Sequence, residues 1–131
     1  MAYLLDTNAW LRLFHRPEEL SQASRLQIQN ETTLWLSPMS IVEVAQKVAK
    51  GRLELPAPVE EWVEQSMPPG IIELAPITSR VALAAYRWPA EFHGDPADRI
   101  IAATAIVMNL VLVTSDEKLL SCRNLPTLST R

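Results

Sequence analysis

An α/β fold, a parallel sheet with helices against both faces, is what this sequence predicts, and three observations predict it. Short apolar runs recur without polar alternation, as strands covered on both faces require. Segments of helical periodicity separate these runs, and strands alternating with helices give a parallel sheet. The length, 131 residues, fits one hydrophobic core and leaves no room for two. Residues 1–131 are therefore read as a single domain.

Ala2-Tyr3-Leu4-Leu5, Thr33-Leu34-Trp35-Leu36 and Leu110-Val111-Leu112-Val113 are the three clearest strands. Ile71-Ile72-Glu73-Leu74 follows the breaker Pro68-Pro69-Gly70 and makes a fourth, and Thr127-Leu128-Ser129 makes a short edge strand. Helices are predicted over residues 9–14, 18–29, 39–49, 59–67, 79–86, 97–108 and 117–120. Their punctuation agrees: Gly51 follows a helix as a C-cap does, while Ser37-Pro38 and Asp95-Pro96 each set a capping side chain before a proline at the first helical position. No repeat, low-complexity tract or linker interrupts the pattern.

A hydrophobic fraction of 48% with 21% charged residues excludes a disordered or collagen-like chain. Twelve basic against 15 acidic residues give a net charge of −3, the wrong sign for gripping phosphates by bulk charge. A divalent cation inside an acidic pocket reverses that sign locally, so nucleic acid stays open. Cys122 stands alone and is read as a packing residue, and with only His15 and His93 beside it no zinc cluster of the usual type is available. The N-terminus has no basic region, and its apolar run meets Asp6 at once, so it is not read as a signal peptide. No run approaches the roughly 18 apolar residues of a membrane span, and a soluble, cytoplasmic protein is expected.

In open parallel sheets the ligand crevice lies beyond the carboxyl ends of the strands. The residues placed there are acidic. Asp6 follows Leu4-Leu5, Asp116 follows Leu112-Val113-Thr114-Ser115, Glu43 lies in the helix after Leu34-Trp35-Leu36, and Asp98 opens the helix that leads into Leu110. Each also has a structural reading. Ser40-Ile41-Val42-Glu43 matches a capping box, and Glu43 stands four residues before Lys47 at ion-pair spacing. Asp95 fits an N-cap, which puts Asp98 at the third helical position. Asp116 or Ser115 suits the cap of the following short helix, and Asp6 suits an Asx turn. The chemical reading rests on the conjunction: acids gathered at one rim repel each other unless a cation sits between them, and magnesium or manganese suits such oxygen donors.

Leu4-Leu5-Asp6-Thr7-Asn8, Leu36-Ser37-Pro38-Met39-Ser40-Ile41-Val42-Glu43, Asp95-Pro96-Ala97-Asp98-Arg99-Ile100-Ile101-Ala102-Ala103-Thr104-Ala105 and Val113-Thr114-Ser115-Asp116 match in order the motifs of a known family. The chain resembles the PIN domains, and among them the VapC-type toxins of bacterial and archaeal toxin-antitoxin pairs. The resemblance implies a three-layer α/β/α sandwich and a Mg2+- or Mn2+-dependent endoribonuclease with Asp6, Glu43, Asp98 and Asp116 as metal-coordinating carboxylates. It also implies a homodimer and a cognate antitoxin protein. Asn8, Thr7 and Ser115 match the family's small polar residues, and Asn8 and Ser115 are expected to orient carboxylates or bound water. Asp95 matches the family's further acid, and Arg99, beside Asp98, is a candidate for a phosphate or carboxylate contact. His93-Gly94 and Ala97 depart from the usual residues of that segment, where an aromatic often stands in place of Ala97, but no acid is lost.

Other readings make different demands. A Mg2+-dependent phosphohydrolase working through an aspartyl phosphate, or a receiver-type domain, needs an acid close to Asp6 and a lysine after a late strand; Thr7-Asn8-Ala9 supplies no such acid. A catalytically silent PIN-fold binding module needs the fold but not all four carboxylates. Arg12, Arg16, Lys47 and Arg52 are basic candidates for following an RNA backbone. Trp10, Leu11, Leu13 and Phe14 on an early helix, with Trp62 on another, are expected to leave apolar surface for a partner.

Overall fold

The computed structural model describes residues 2–31, 33–87 and 94–131. Five strands form one all-parallel sheet among them: β1 (Tyr3–Leu5), β2 (Leu34–Leu36), β3 (Ile72–Leu74), β4 (Val111–Thr114) and β5 (Thr127–Ser129). Their order across the sheet is β3-β2-β1-β4-β5. The chain walks outward from β1 through β2 to β3, then crosses to the other side of β1 for β4. That reversal makes the gap between β1 and β4 the topological switch point, where open α/β sheets take their ligands.

Pleating divides the core into two layers. Tyr3, Leu5, Leu34, Leu36 and Val113 point to one face, where they meet Trp10, Ile28, Val44 and Trp62. Leu4 and Leu112 point to the other and meet Ile101, Ala102, Ala105 and Leu119. Helices α1 (Thr7–His15), α2 (Gln22–Gln29), α3 (Pro38–Ala49), α4 (Val59–Gln65), α5 (Ser79–Ala84), α6 (Pro96–Val107) and α7 (Glu117–Leu120) complete the sandwich. Helix α6 buries Ala97, Ala102, Ala103 and Ala105; small side chains let its backbone approach the sheet closely.

The helix ends follow the cap chemistry. Ser37 caps α3 ahead of Pro38 and Asp95 caps α6 ahead of Pro96. After α3, Gly51 adopts φ +68°, and the amides of Gly51 and Arg52 return to the carbonyls of Val48 and Lys47, a Schellman closure that only glycine adopts without strain.

Two expectations change. The helix predicted over residues 18–29 is a short 3-10 turn, Pro17–Glu19, followed by α2. Leu20 is extended and buried, and Ser21 caps a fresh helix by accepting the Ser24 amide at 3.2 Å; core burial and a new cap override the local periodicity. Trp10 and Trp62 are not surface for a partner. They are 0% and 3% exposed and pack edge to face, with ring centroids 4.9 Å apart. Trp10 Nε1 also donates to the Ser66 carbonyl at 2.8 Å, tying α1 to the end of α4.

That contact predicts two graded losses. Trp10→Phe leaves the buried Ser66 carbonyl unpaired and is expected to destabilise by about 1–3 kcal/mol. Trp10→Ala also opens a cavity and is expected to destabilise by about 3–5 kcal/mol. Urea unfolding of the three proteins checks the order.

Candidate functional site

The site begins where β1 ends. Leu5 pairs with Leu36 on one side and Val113 on the other, so Asp6 leaves the sheet at its centre, level with Thr114. Asp6 is the N-cap of α1: its Oδ1 accepts the Ala9 amide at 2.7 Å, so the Asx turn expected at Asp6 is a helix cap, and the helix expected from Ala9 starts at Thr7. Asp116 is the N-cap of α7, accepting the amides of Lys118 at 2.8 Å and Leu119 at 3.4 Å on one oxygen. The second Asp116 carboxylate oxygen remains for another partner, while Asp6 also bonds the Thr114 side chain.

Glu43 is not part of a capping box. Because Ser37 caps α3 and Pro38 starts it, Glu43 lies in the second turn, out of reach of the helix end. Its partner is Thr7, whose Oγ1 lies 2.5 Å from Glu43 Oε1 and 3.0 Å from Ser40 Oγ. A hydroxyl has one proton, and it goes to the charged acceptor. Asp95 does cap α6, accepting the Asp98 amide at 2.8 Å, so Asp98 occupies the third helical position.

Asp6, Glu43, Asp98 and Asp116 line one small cavity of about 40 Å³, together with Thr7, Asn8, Lys47 and Ile101. The four acids come from four separate segments, and only the tertiary fold brings them together. Three other residues lie elsewhere. Asp95 is exposed at its cap and acts on the site by charge alone. Arg99 sits over the Tyr86 ring, 5.3 Å from its centroid, and donates to the Ala85 carbonyl at 3.3 Å; it braces α6 on the end of α5. Ser115 does not line the cavity but accepts a hydrogen bond from Arg12 at 2.9 Å. Of the remaining basic candidates, Arg16 is exposed and lies 3.9 Å from Glu19, Arg52 closes α3 through its backbone, and His93 falls outside the described residues.

The sequence suggests no role for Thr114, and offers Arg12 only as a basic candidate for following an RNA backbone. Thr114 is fully buried, bonds to Asp6 and accepts the Asp116 amide at 3.0 Å. Strand register identifies it, because it stands level with Asp6 on the neighbouring strand.

Crowding sets the electrostatics. Burial pushes the Asp98 carboxyl up to about 7, and the charges of Asp95, Asp116, Glu43 and Asp6 add to the rise. Burial likewise pushes Asp6 up to about 6, with Asp116 adding to the rise, against the lowering effects of Thr114, the Ala9 amide and Arg12. An all-oxygen donor set suits Mg2+ or Mn2+ rather than zinc. Among the described residues, no three Asp, Glu, His or Cys side chains close into a cage. The open rim fits an ion that keeps several of its waters among the four carboxylates, which is how Mg2+ is usually bound.

The family described as PIN domain matches residues 3–123. The chain belongs to the PIN domain family. It is also 36% identical over 121 residues to Ribonuclease VapC22 of Mycobacterium tuberculosis, covering 92% of each chain. Solved structures of similar fold include VapBC2 of Rickettsia felis bound to a promoter DNA fragment, with a TM-score of 0.76, 19% identity and 100% of each chain covered. A second is DNA-bound VapBC of Salmonella typhimurium, with a TM-score of 0.73, 17% identity and 100% and 99% coverage. These structures share the fold, so the switch-point cavity of this PIN domain lies in a scaffold common to all three. No helix among the described residues is long and apolar enough to cross a membrane.

The raised carboxyls give a pH dependence of known sign. Folded Asp6 and Asp98 hold protons that the unfolded chain releases near pH 4, so the metal-free protein loses stability as pH rises from about 4 to about 7. Melting curves in chelator at pH 5 and pH 8 are expected to show a higher Tm at pH 5. Asp98→Asn is expected to narrow that difference, because the mutant has one fewer acid to ionise in the cavity.

Proposed function

We propose that this PIN domain, acting as a single unit, is the toxin ribonuclease of a toxin-antitoxin pair: a Mg2+- or Mn2+-dependent endoribonuclease. The observation that carries the proposal is the convergence of Asp6, Glu43, Asp98 and Asp116 on one cavity at the switch point, with burial and mutual repulsion opposing their joint ionisation. A divalent cation removes that penalty, and these four are the residues proposed to hold it. Bound there, the ion supplies a water of lowered pKa and neutralises charge building on the phosphoryl oxygens.

The reaction is hydrolysis of an RNA phosphodiester. Water adds to phosphorus and the bond to the 3′ oxygen breaks, leaving a 3′ hydroxyl upstream and a 5′ phosphate downstream. Thr7 holds Glu43, and the backbone amides at the starts of α1 and α7 hold one oxygen each of Asp6 and Asp116. The carboxylates are thus oriented before any ligand arrives, the condition for electrostatic stabilisation without reorganisation. Asn8, exposed at the rim, is suited to orienting water or substrate. Lys47 also lines the cavity, without an ion pair to Glu43 four residues before it, and is suited to an RNA phosphate.

The relative at 36% identity supports the ribonuclease reading, since it is named as one. Neighbours solved as VapBC or toxin-antitoxin complexes support an antitoxin protein as partner. A homodimer in the cytoplasm is the proposed context, and Leu83, Tyr86 and Ile106 on the α5–α6 side are exposed apolar residues available to such contacts.

Two experiments test this reading. Mn2+ at about 100 times its Kd is expected to stabilise the wild type by about 2.7 kcal/mol, and Asp98→Asn is expected to lose most of that gain and at least about 100-fold in RNA cleavage. Intact cleavage by Asp98→Asn, or cleavage in excess chelator, contradicts the proposal. Lys47→Gln is expected to weaken RNA binding across sequences and to reduce the slope of log K against log salt by about 1; an unchanged slope removes Lys47 from the RNA contact.

A further inference from the structure

Arg12 is absent from the cavity lining, yet three parts of the chain meet on it beside the cavity. It sits on α1, six residues after Asp6. One nitrogen, Nη1, donates to Ser115 Oγ at 2.9 Å and to Thr130 Oγ1 at 3.1 Å. Ser115 immediately precedes Asp116. Thr130 is buried just beyond β5, and its amide donates to the Thr114 carbonyl at 3.1 Å. From the other side Arg131 donates to the Ser115 carbonyl at 3.0 Å and pairs with Glu117.

The turn at residues 114–116 is therefore gripped on its hydroxyl by Arg12 and on its carbonyl by Arg131. The first grip matters to the cavity, because Arg12 and Asp6 belong to the same short helix, Asp6 as its N-cap and Arg12 in its last turn. Fixing Ser115 to α1 fixes Asp116 relative to Asp6. An arginine whose partners are two neutral hydroxyls, with a carboxylate close by, is placed by geometry rather than by charge pairing.

We propose that Arg12 is a positioning residue for the metal-binding rim, holding the Asp116 carboxylate at its working separation from Asp6 by tethering the Ser115 turn to α1. The proposal rests on the metal-dependent reading above. It has a signature that a bare charge does not share. At pH 8, where Asp6 is ionised, a cation beside a cation site weakens metal binding by Coulomb repulsion, so deleting a mere charge tightens binding. Deleting a tether loosens the rim and weakens binding.

Mn2+ titration calorimetry on the full chain, with melting curves to establish that each variant is folded, separates the two. Arg12→Met is expected to bind Mn2+ about 10- to 100-fold more weakly than wild type, the usual scale for groups that orient metal ligands. Arg12→Lys is expected to recover part of the loss. Thr130→Val keeps every charge and removes one tether point, so it is expected to weaken Mn2+ binding in the same direction, and it carries the test if Arg12→Met does not fold. Equal or tighter Mn2+ binding by folded Arg12→Met, or unchanged affinity in Thr130→Val, overturns the positioning role. Absence of Mn2+ binding by the wild type overturns the metal reading itself, and the positioning role with it.

Discussion

β1 is hydrogen-bonded along both edges, to β2 on one side and β4 on the other, and this central position governs the rest of the molecule. Neither edge offers space for a turn, so the chain leaves the sheet along the strand axis and the first residue out is Asp6. The β1 backbone cannot shift without breaking two ladders, which makes Asp6 the fixed point of the site. Everything else at the rim is located relative to it: Thr114 by register, Asp116 by the turn after β4, Glu43 through Thr7, and Asp98 by the docking of α6 against Leu4 and Leu112.

Two kinds of order are combined at this rim. The core beneath it is conventional: interleaved apolar side chains in two layers, with the Trp10–Trp62 contact locking α1 to α4. Above it, carboxylates crowd together, and their mutual repulsion falls most heavily on Asp98. Asp6 and Asp116 each satisfy one oxygen with helix amides, Glu43 has Thr7, and Asp98 is left with the combined field of its neighbours. A cation bound there, as proposed, would return the stability given up to this repulsion and so couple folding to occupancy.

The helix caps show how one residue serves two ends. An aspartate at an N-cap accepts amides with one oxygen while the other stays available, so Asp6 and Asp116 are oriented by the helices they start. Structural and chemical readings of an acidic N-cap are therefore not rivals. Asp95 shows the contrast: it caps α6 in the same way but stays exposed, and it is Asp98, three residues on, that lines the cavity.

Much of this was legible in the chain itself. Unbroken apolar runs separated by helical periodicity require a parallel sheet, since only burial on both faces removes the need for alternation. The acids after Leu5 and Val113 announce the rim, and their motif order carries the family. Other features were not legible, because they depend on distances between segments that sequence spacing does not encode. The 3-10 turn and restart at Ser21 arise from burying Leu20, and the Trp10–Trp62 pair joins residues far apart in the chain. Ser40-Ile41-Val42-Glu43 reads locally as a cap, and only the choice of Ser37 as the true cap frees Glu43 to meet Thr7. Arg99 and Arg12 exchange their expected importance for the same reason. The adjacent arginine turns away to Tyr86, while the one on another helix reaches the turn that carries Asp116. Local chemistry determined which residues were available to the site, and packing decided which of them share it.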